Sequence, residues 1–207
     1  LISGRSVLTT IRSVELDDLL GRDPVVLDSA GLAEGLGNRV VMVTGAGGSI
    51  GAELTRQIAR YRPARLVLFD ISEAALYEIR TALADAFAQL PLVTVVGDVK
   101  HQALVEEVLA REKPTVIFHA GAYKHVPLME ETNAWQAVRN NAYGTYVLAR
   151  AAVAARVEKF VLVSSDKAVN PTNVMGATKR LAEIVCQSLT GGVTQFVLVR
   201  FGNGFGS

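Results

Sequence analysis

A doubly wound parallel α/β sheet is the fold class that this sequence predicts. Three observations predict it. From about residue 40 onward, short runs of Val, Ile, Leu and Phe alternate with amphipathic stretches of helical length, the pattern of a parallel sheet covered on both faces. The first run leads through a glycine-rich turn, Thr44 to Gly51, straight into the helical stretch Ala52 to Ile58. The second run, Leu66 to Phe69, ends in the carboxylate of Asp70, 19 residues after Gly51.

The apolar runs place strands at about 40–44, 65–70, 91–96, 114–120, 159–164 and 194–200, with helices in the gaps. The longest helix is expected at about 134–157. It carries Ala137, Val138, Tyr143, Val147, Leu148 and Ala151 at near-helical spacing, and its Arg150 and Arg156 argue against a membrane span. Residues 1–38 read as a lead-in segment and 39–207 as the dinucleotide-binding domain. In the lead-in, Glu15 to Leu20 suggest one or two helical turns before Gly21, Pro24, Gly31, Gly35 and Gly37 break the pattern. The chain begins at Leu1 and stops without a closing helix, so it reads as a fragment of something longer.

Composition removes several function classes. The chain has 207 residues, half of them apolar, enough for a sizeable core and too many for a disordered chain. Lys plus Arg number 21 and Asp plus Glu 20, a formal charge of +1 with no run of five or more like charges, so nucleic acid is not an expected partner. Apolar runs such as Val40 to Val43 are far too short to cross a bilayer, and no membrane contact is expected of this segment. The single cysteine, Cys186, excludes an internal disulfide and a cysteine-rich metal site, and points to a reducing compartment. Three scattered histidines show no ligand spacing, so no metal is expected.

A glycine-rich turn between a buried strand and a helix lets the backbone approach a pyrophosphate and aims free N–H groups and the helix dipole at it. Gly45, Gly48 and Gly51 suit that need, though an ordinary tight turn would use the same residues. Asp70 stands where a Rossmann-like site keeps its carboxylate for the adenosine ribose hydroxyls, with a helix cap or a solvated strand end as the other reading. Asp98, with Val99, closes the third strand within reach of an adenine, and it would equally serve as a cap before a helix at 101–112. Ser164 to Lys167 follow the fifth strand, at the carboxyl end that faces a ligand crevice. Lys179 lies four residues after Met175, so both project from one helical face. His101 and His119 read as structural.

Taken together, Thr44 to Gly51, His119 to Pro127, Ser164 to Ala168 and Asn170 to Arg180 resemble the bacterial polysaccharide-biosynthesis 4,6-dehydratases that act on UDP-N-acetylglucosamine-type sugars, members of the extended short-chain dehydrogenase/reductases. The resemblance covers essentially the whole chain, and residues 11–28 look like the segment before the catalytic domain in the long, membrane-anchored type. It implies NAD as cofactor and a chain truncated before the smaller substrate domain. It also implies a cytoplasmic domain, in a full-length protein anchored to the inner membrane. Candidate cofactor contacts are Thr44, Gly45, Gly48, Ser49, Ile50, Gly51, Asp70, Asp98, Val99, Ala120, Ala122 and Lys179. Lys124, His125 and Asn203 are candidate substrate contacts, although loop side chains such as Lys124 and His125 are often merely solvated. A homo-oligomer is left open.

In the broader superfamily the position of Met175 is usually a Tyr that handles the proton of the reacting hydroxyl. A thioether has no acidic hydrogen and little basicity. Either the chain is a dead nucleotide binder, or the proton work has moved to Ser165, Asp166 and Lys167; the long dehydratases also carry Met here. The resemblance then implies oxidation at sugar carbon 4, elimination of water across carbons 5 and 6, and re-reduction at carbon 6, with NAD regenerated each turn. Lys167 is the candidate base at carbon 5, its pKa needing to be lowered by burial or by a cation such as Lys179. Asp166 is the candidate acid, Ser165 holds or relays the carbon 4 proton, and Asn141 helps to position Lys179. A solvated helix residue is the other reading of Asn141. A nucleotide-sugar 4-epimerase and a non-catalytic NAD-binding module are the alternatives.

Overall fold

The structure is a computed structural model that describes residues 28–202. The expectations on residues 11–28 (Asp28 aside), on the helical turn at 15–20 and on Asn203 lie outside the described residues. The chain begins with α1 (Ser29–Leu36), capped by the Asp28 carboxylate, which accepts from the Gly31 N–H at 3.0 Å. Gly31 and Gly35 were expected to break a helix and instead lie within one. The cap satisfies an otherwise unpaired donor, and Leu36 is buried in the cluster that holds Val41, Val43, Ile58 and Ala59, so packing overrides weak propensity.

Six strands follow: β1 (Val40–Thr44), β2 (Arg65–Asp70), β3 (Leu92–Val96), β4 (Val116–His119), β5 (Lys159–Ser165) and β6 (Gln195–Phe201). They form one sheet in the order β3-β2-β1-β4-β5-β6, every pair parallel. Between them run α2 (Ser49–Arg60), α3 (Glu73–Ala86), α4 (Gln102–Glu112), the short α5 (Val126–Glu130) and α6 (Ala134–Ala137), α7 (Gly144–Ala154) and α8 (Val174–Ser188).

The strands bury both faces, with period-two alternation between them. Val41 and Val43 of β1 join Leu66 and Leu68 in one cluster, whereas Met42 joins Val67 and Phe69 in the other. Each such side chain contributes about 1.5–3 kcal/mol by leaving water. The topology reverses between β1 and β4, where the chain leaves one side of the sheet for the other and a crevice opens beyond the strand ends.

The expected single helix over 134–157 is three pieces. Between α6 and α7 the chain makes a π-helical turn, Val138–Tyr143, in which the Gly144 N–H reaches back to the Arg139 carbonyl. The Thr145 hydroxyl donates to the Asn141 carbonyl at 2.6 Å. A Cβ at Gly144 would stand 2.8 Å from Val99, so the helix crosses the loop after β3 at close range. The periodicity could not report an inserted residue, because apolar spacing on both sides of it stays near-helical.

Candidate active site

The groove beyond β1 is shaped by backbone. Gly45 has φ +71°, and a Cβ there would stand 2.4 Å from the Gly121 nitrogen; a Cβ at Gly51 would sit 1.9 Å from the Gly45 carbonyl oxygen. Only glycine lets turn, helix and β4 loop approach this closely. No side chain caps α2, so the N–H groups of its first turn point along the axis into the groove. A cavity of about 290 Å³ follows, bordered by Gly45, Gly48, Asp70, Asp98, Val99, Ala120 and Ala122.

Asp70 is neither a helix cap nor a solvated strand end. Its carboxylate accepts from the Gly47 N–H at 2.9 Å and from the Ser72 N–H at 3.0 Å, while Ser72 itself caps α3. Gly47, outside the predicted contacts, thereby fastens the turn to the carboxylate. Asp98 is not the cap of α4 either; His101 is, accepting from the Leu104 N–H at 3.2 Å. Asp98 pairs with Lys100, by 2.8 Å to the ammonium and 2.9 Å from the backbone N–H. Burial works against its charge, but those bonds and the Lys100 and Arg139 cations hold the carboxyl below its ordinary range.

A second cavity, of about 420 Å³, opens beside the groove and shares Ala120 and Ala122 with it. Ser165, Lys167, Met175 and Lys179 line it together with Lys124, His125 and Ile50. Thr44, by contrast, is buried beneath, its hydroxyl paired at 2.6 Å with His119 Nδ1. Ser49 stands at the groove's edge, where its hydroxyl accepts from the Lys124 ammonium at 3.1 Å. Lys124 thus spans from the loop after β4 to the start of α2, and His125 is exposed at the start of α5.

Met175 and Lys179 share the buried face of α8, at 5% and 7% exposure. The Lys179 ammonium donates to the Val163 carbonyl at 2.8 Å, and burial pushes its pKa down to about 8, with Glu183 opposing. Lys167 forms an ion pair with Asp166 at 3.6 Å. Asp166 borders neither cavity and is 57% exposed; the Ser165 hydroxyl that donates to it at 3.0 Å holds its carboxyl below the usual range, with Lys167 adding to that and slight burial opposing.

Asn141 sits in the π-helical turn, buried, and makes no hydrogen bond to Lys179. Its amide bridges the Tyr123 backbone, accepting from the N–H at 2.8 Å and donating to the carbonyl at 3.0 Å, and donates to the Thr178 hydroxyl at 3.0 Å. It therefore clamps the loop after β4 to α8 one residue before Lys179. The solvated-helix reading of Asn141 does not hold. His119 is the second buried bracket, between Thr44 and Thr145 Oγ1 at 3.0 Å. Because Thr145 spends its proton on Asn141, it accepts from His119 Nε2–H, which leaves Nδ1 to accept from Thr44. Burial, with the nearby Lys179 cation, pushes the His119 pKa down to about 3, so the ring is neutral.

Sequence reasoning missed Glu183. It lies four residues after Lys179 on the same buried face, beside Ala182 and Cys186. A carboxylate repeating the Met175–Lys179 interval on an otherwise apolar stripe was the available signal.

A doubly wound sheet with a glycine-lined groove at its switch point is the architecture of a dinucleotide-binding domain. The chain belongs to the polysaccharide biosynthesis protein family, whose model matches residues 41–207. It is 46% identical to the capsular polysaccharide biosynthesis protein CapD of Staphylococcus aureus and 45% identical to the probable polysaccharide biosynthesis protein EpsC of Bacillus subtilis, over its whole length and 35% of theirs. A UDP-N-acetylglucosamine 4,6-dehydratase (inverting) of Campylobacter jejuni is 30% identical across 81% of the chain and 49% of the relative. The chain thus spans half or less of the curated relatives it matches. Among solved structures, Pen from Bacillus thuringiensis superposes with a TM-score of 0.74 at 32% identity, covering 83% of this chain and 52% of that one. The UDP-glucose 4-epimerase of Brucella ovis, solved with NAD, shares the fold at a TM-score of 0.67 and 23% identity, covering 80% and 52%.

Proposed function

We propose that this chain is the NAD-binding part of a nucleotide-sugar 4,6-dehydratase that converts a UDP-N-acetylhexosamine to its 4-keto-6-deoxy derivative for surface polysaccharide synthesis. The observation that carries the reading is the meeting of Lys167, Met175 and Lys179 in one cavity against the dinucleotide groove. When bound, NAD supplies the two-electron oxidation of the sugar and its reversal. The groove's lining suits it: the uncapped first turn of α2 would hold the pyrophosphate, Asp70 the adenosine ribose, Asp98 and Val99 the adenine end, and Lys179 the nicotinamide ribose.

Oxidation at carbon 4 makes the carbon 5 proton acidic, and Lys167 is the residue proposed to take it. Met175 can only pack. Ser165, whose hydroxyl points along the same turn, is proposed to hold the carbon 4 hydroxyl. Asp166 is the proposed acid for the leaving hydroxyl, but an exposed carboxylate held below its usual range must turn inward and lose its partners before it can donate. Lys124 and His125 are proposed sugar or phosphate contacts.

That exposed Asp166 also favours a second reading, a 4-epimerase, which needs the same cofactor site and no acid at carbon 6. A relative at 29% identity, from Rickettsia rickettsii, is a UDP-glucose 4-epimerase. The experiment is the product formed by the complete protein from UDP-N-acetylglucosamine, read by mass and NMR. A 4-keto-6-deoxy sugar short of one water supports dehydration, and a sugar of unchanged mass inverted at carbon 4 supports epimerisation.

A further inference from the structure

Glu183 is fully buried, and its carboxylate is gripped from three directions. It accepts from the Ser164 hydroxyl at 2.6 Å, from Arg180 at 3.0 Å, and from Arg200 through Nε at 2.7 Å and Nη2 at 2.5 Å. Burial opposes its charge, but these donors push its pKa down to about 2. The ties lead to the proposed catalytic cavity: Ser164 lines it, Arg200 precedes its lining residues Phe201 and Gly202, and Arg180 follows Lys179 on α8.

Stability alone is a poor reason for this cluster, since well-packed apolar side chains often replace a buried ion pair without loss. We propose that Glu183 is a positioning residue: it bolts the turn after β5 and the end of β6 to α8, and it sets a buried negative charge one helical turn from Lys179. The inference rests on the reading of Lys179 as the residue that reaches the nicotinamide ribose.

The other groups around Lys179 leave that charge unmatched. From α8, Cys186 is a neutral thiol that burial pushes up to about 12. His119 on β4 is neutral, and β5 offers only the Val163 carbonyl. Lys167, Lys124 and His125 line the same cavity, with Asp166 on Lys167 at its exposed side. Among the described residues Glu183 is thus the buried carboxylate that favours the protonated Lys179.

The test is NAD affinity by calorimetry from neutral to alkaline pH, on the complete protein, for wild type, Glu183→Gln and Lys179→Ala. Wild type should lose affinity as pH rises through about 8. Glu183→Gln should lose it about one pH unit lower, which makes it roughly fivefold weaker at the wild-type midpoint. An unchanged midpoint in Glu183→Gln would overturn the proposal while leaving the Lys179 reading intact. Alkaline loss that persists in Lys179→Ala would instead overturn the Lys179 reading, and the inference with it. Should Glu183→Gln fail to fold, Ser164→Ala removes one bolt without touching charge. It should leave the pH midpoint in place and lower kcat for UDP-N-acetylglucosamine about tenfold at constant KM, and an unchanged kcat would overturn the bolting role.

Discussion

The groove beyond β1–β3 and the cavity beyond β5 and β6 lie side by side and are built from opposite materials. The groove is made of backbone: missing Cβ atoms, helix N–H groups, and one carboxylate held by two amides. The cavity brings the side chains of Lys124, Lys167 and Lys179 together, with the ionisation of Lys179 shifted by burial and that of Glu183 and His119, which lie behind it, shifted by their surroundings. The groove should therefore tolerate pH and fail at the addition of a single methyl, whereas the cavity should tolerate repacking and fail at the loss of a charge.

The sharpest way to break this contrast is Gly51→Ala. Its Cβ would overlap the Gly45 carbonyl oxygen at 1.9 Å, backbone against backbone, so the helix must leave the turn. Overpacking of this kind costs up to about 3 kcal/mol or more, roughly 10²-fold in NAD affinity. Calorimetry that finds NAD bound as tightly as in wild type would show that close approach is not what the turn is for.

Lys167→Ala in the complete protein should lower dehydration about 10²- to 10⁴-fold with NAD affinity kept, the worth of a general base. A loss below roughly tenfold would send the search for the base to Lys124 or His125, which line the same cavity.

Acid should reach the cavity side first. Glu183 has a folded pKa of about 2 against an ordinary 4.5, so the stability it contributes is present above 4.5 and drains away as pH falls through that window. His119, about 3 when folded against 6.5, acts in the same direction, because the unfolded chain binds its proton first. Melting temperature should fall from about pH 6.5 downward, and His119→Gln should remove the upper part of that slope. A flat profile between pH 6.5 and 4.5 would contradict the buried neutral ring.

Cofactor choice is a smaller effect. Asp70 opposed to the extra phosphate of NADP at about 4 Å costs roughly 4 kcal/mol at an effective dielectric of about 20, less in salt. NAD should therefore bind more tightly than NADP, and Asp70→Asn should narrow the gap in a competition measurement. Smallest of all, Met175→Leu should cost under about 1.5 kcal/mol and leave turnover within a few-fold, since the residue only packs. Collapse of the reaction in that variant would give the thioether a role that its chemistry does not suggest.

Local rules carried much of this molecule. Runs of Val, Leu and Phe from residue 40 onward announce strands because a sheet covered on both faces buries every position. The strand–glycine turn–helix sequence announces the groove because its geometry is completed within a dozen residues. Asp70 was legible for the same reason, one strand later. The divided helix at 134–154 was not legible, since a π-helical turn inserts a residue without disturbing the apolar stripe on either side. Nor were the burial of Lys179 to a pKa of about 8 or the exposure of Asp166, although both residues were named as candidates.

The sequence by itself determined the layered parallel sheet, the dinucleotide groove and the residue types available at the strand ends, because each depends on neighbours close along the chain. Only the tertiary structure decided which of those residues meet and in what charge state. Ser164, Glu183 and Arg200 come from three different elements, and Asn141 reaches Tyr123 and Thr178 across 18 and 37 residues. Desolvation and the pairing of buried charges depend on what lies around a group in space, and no interval along the chain encodes that.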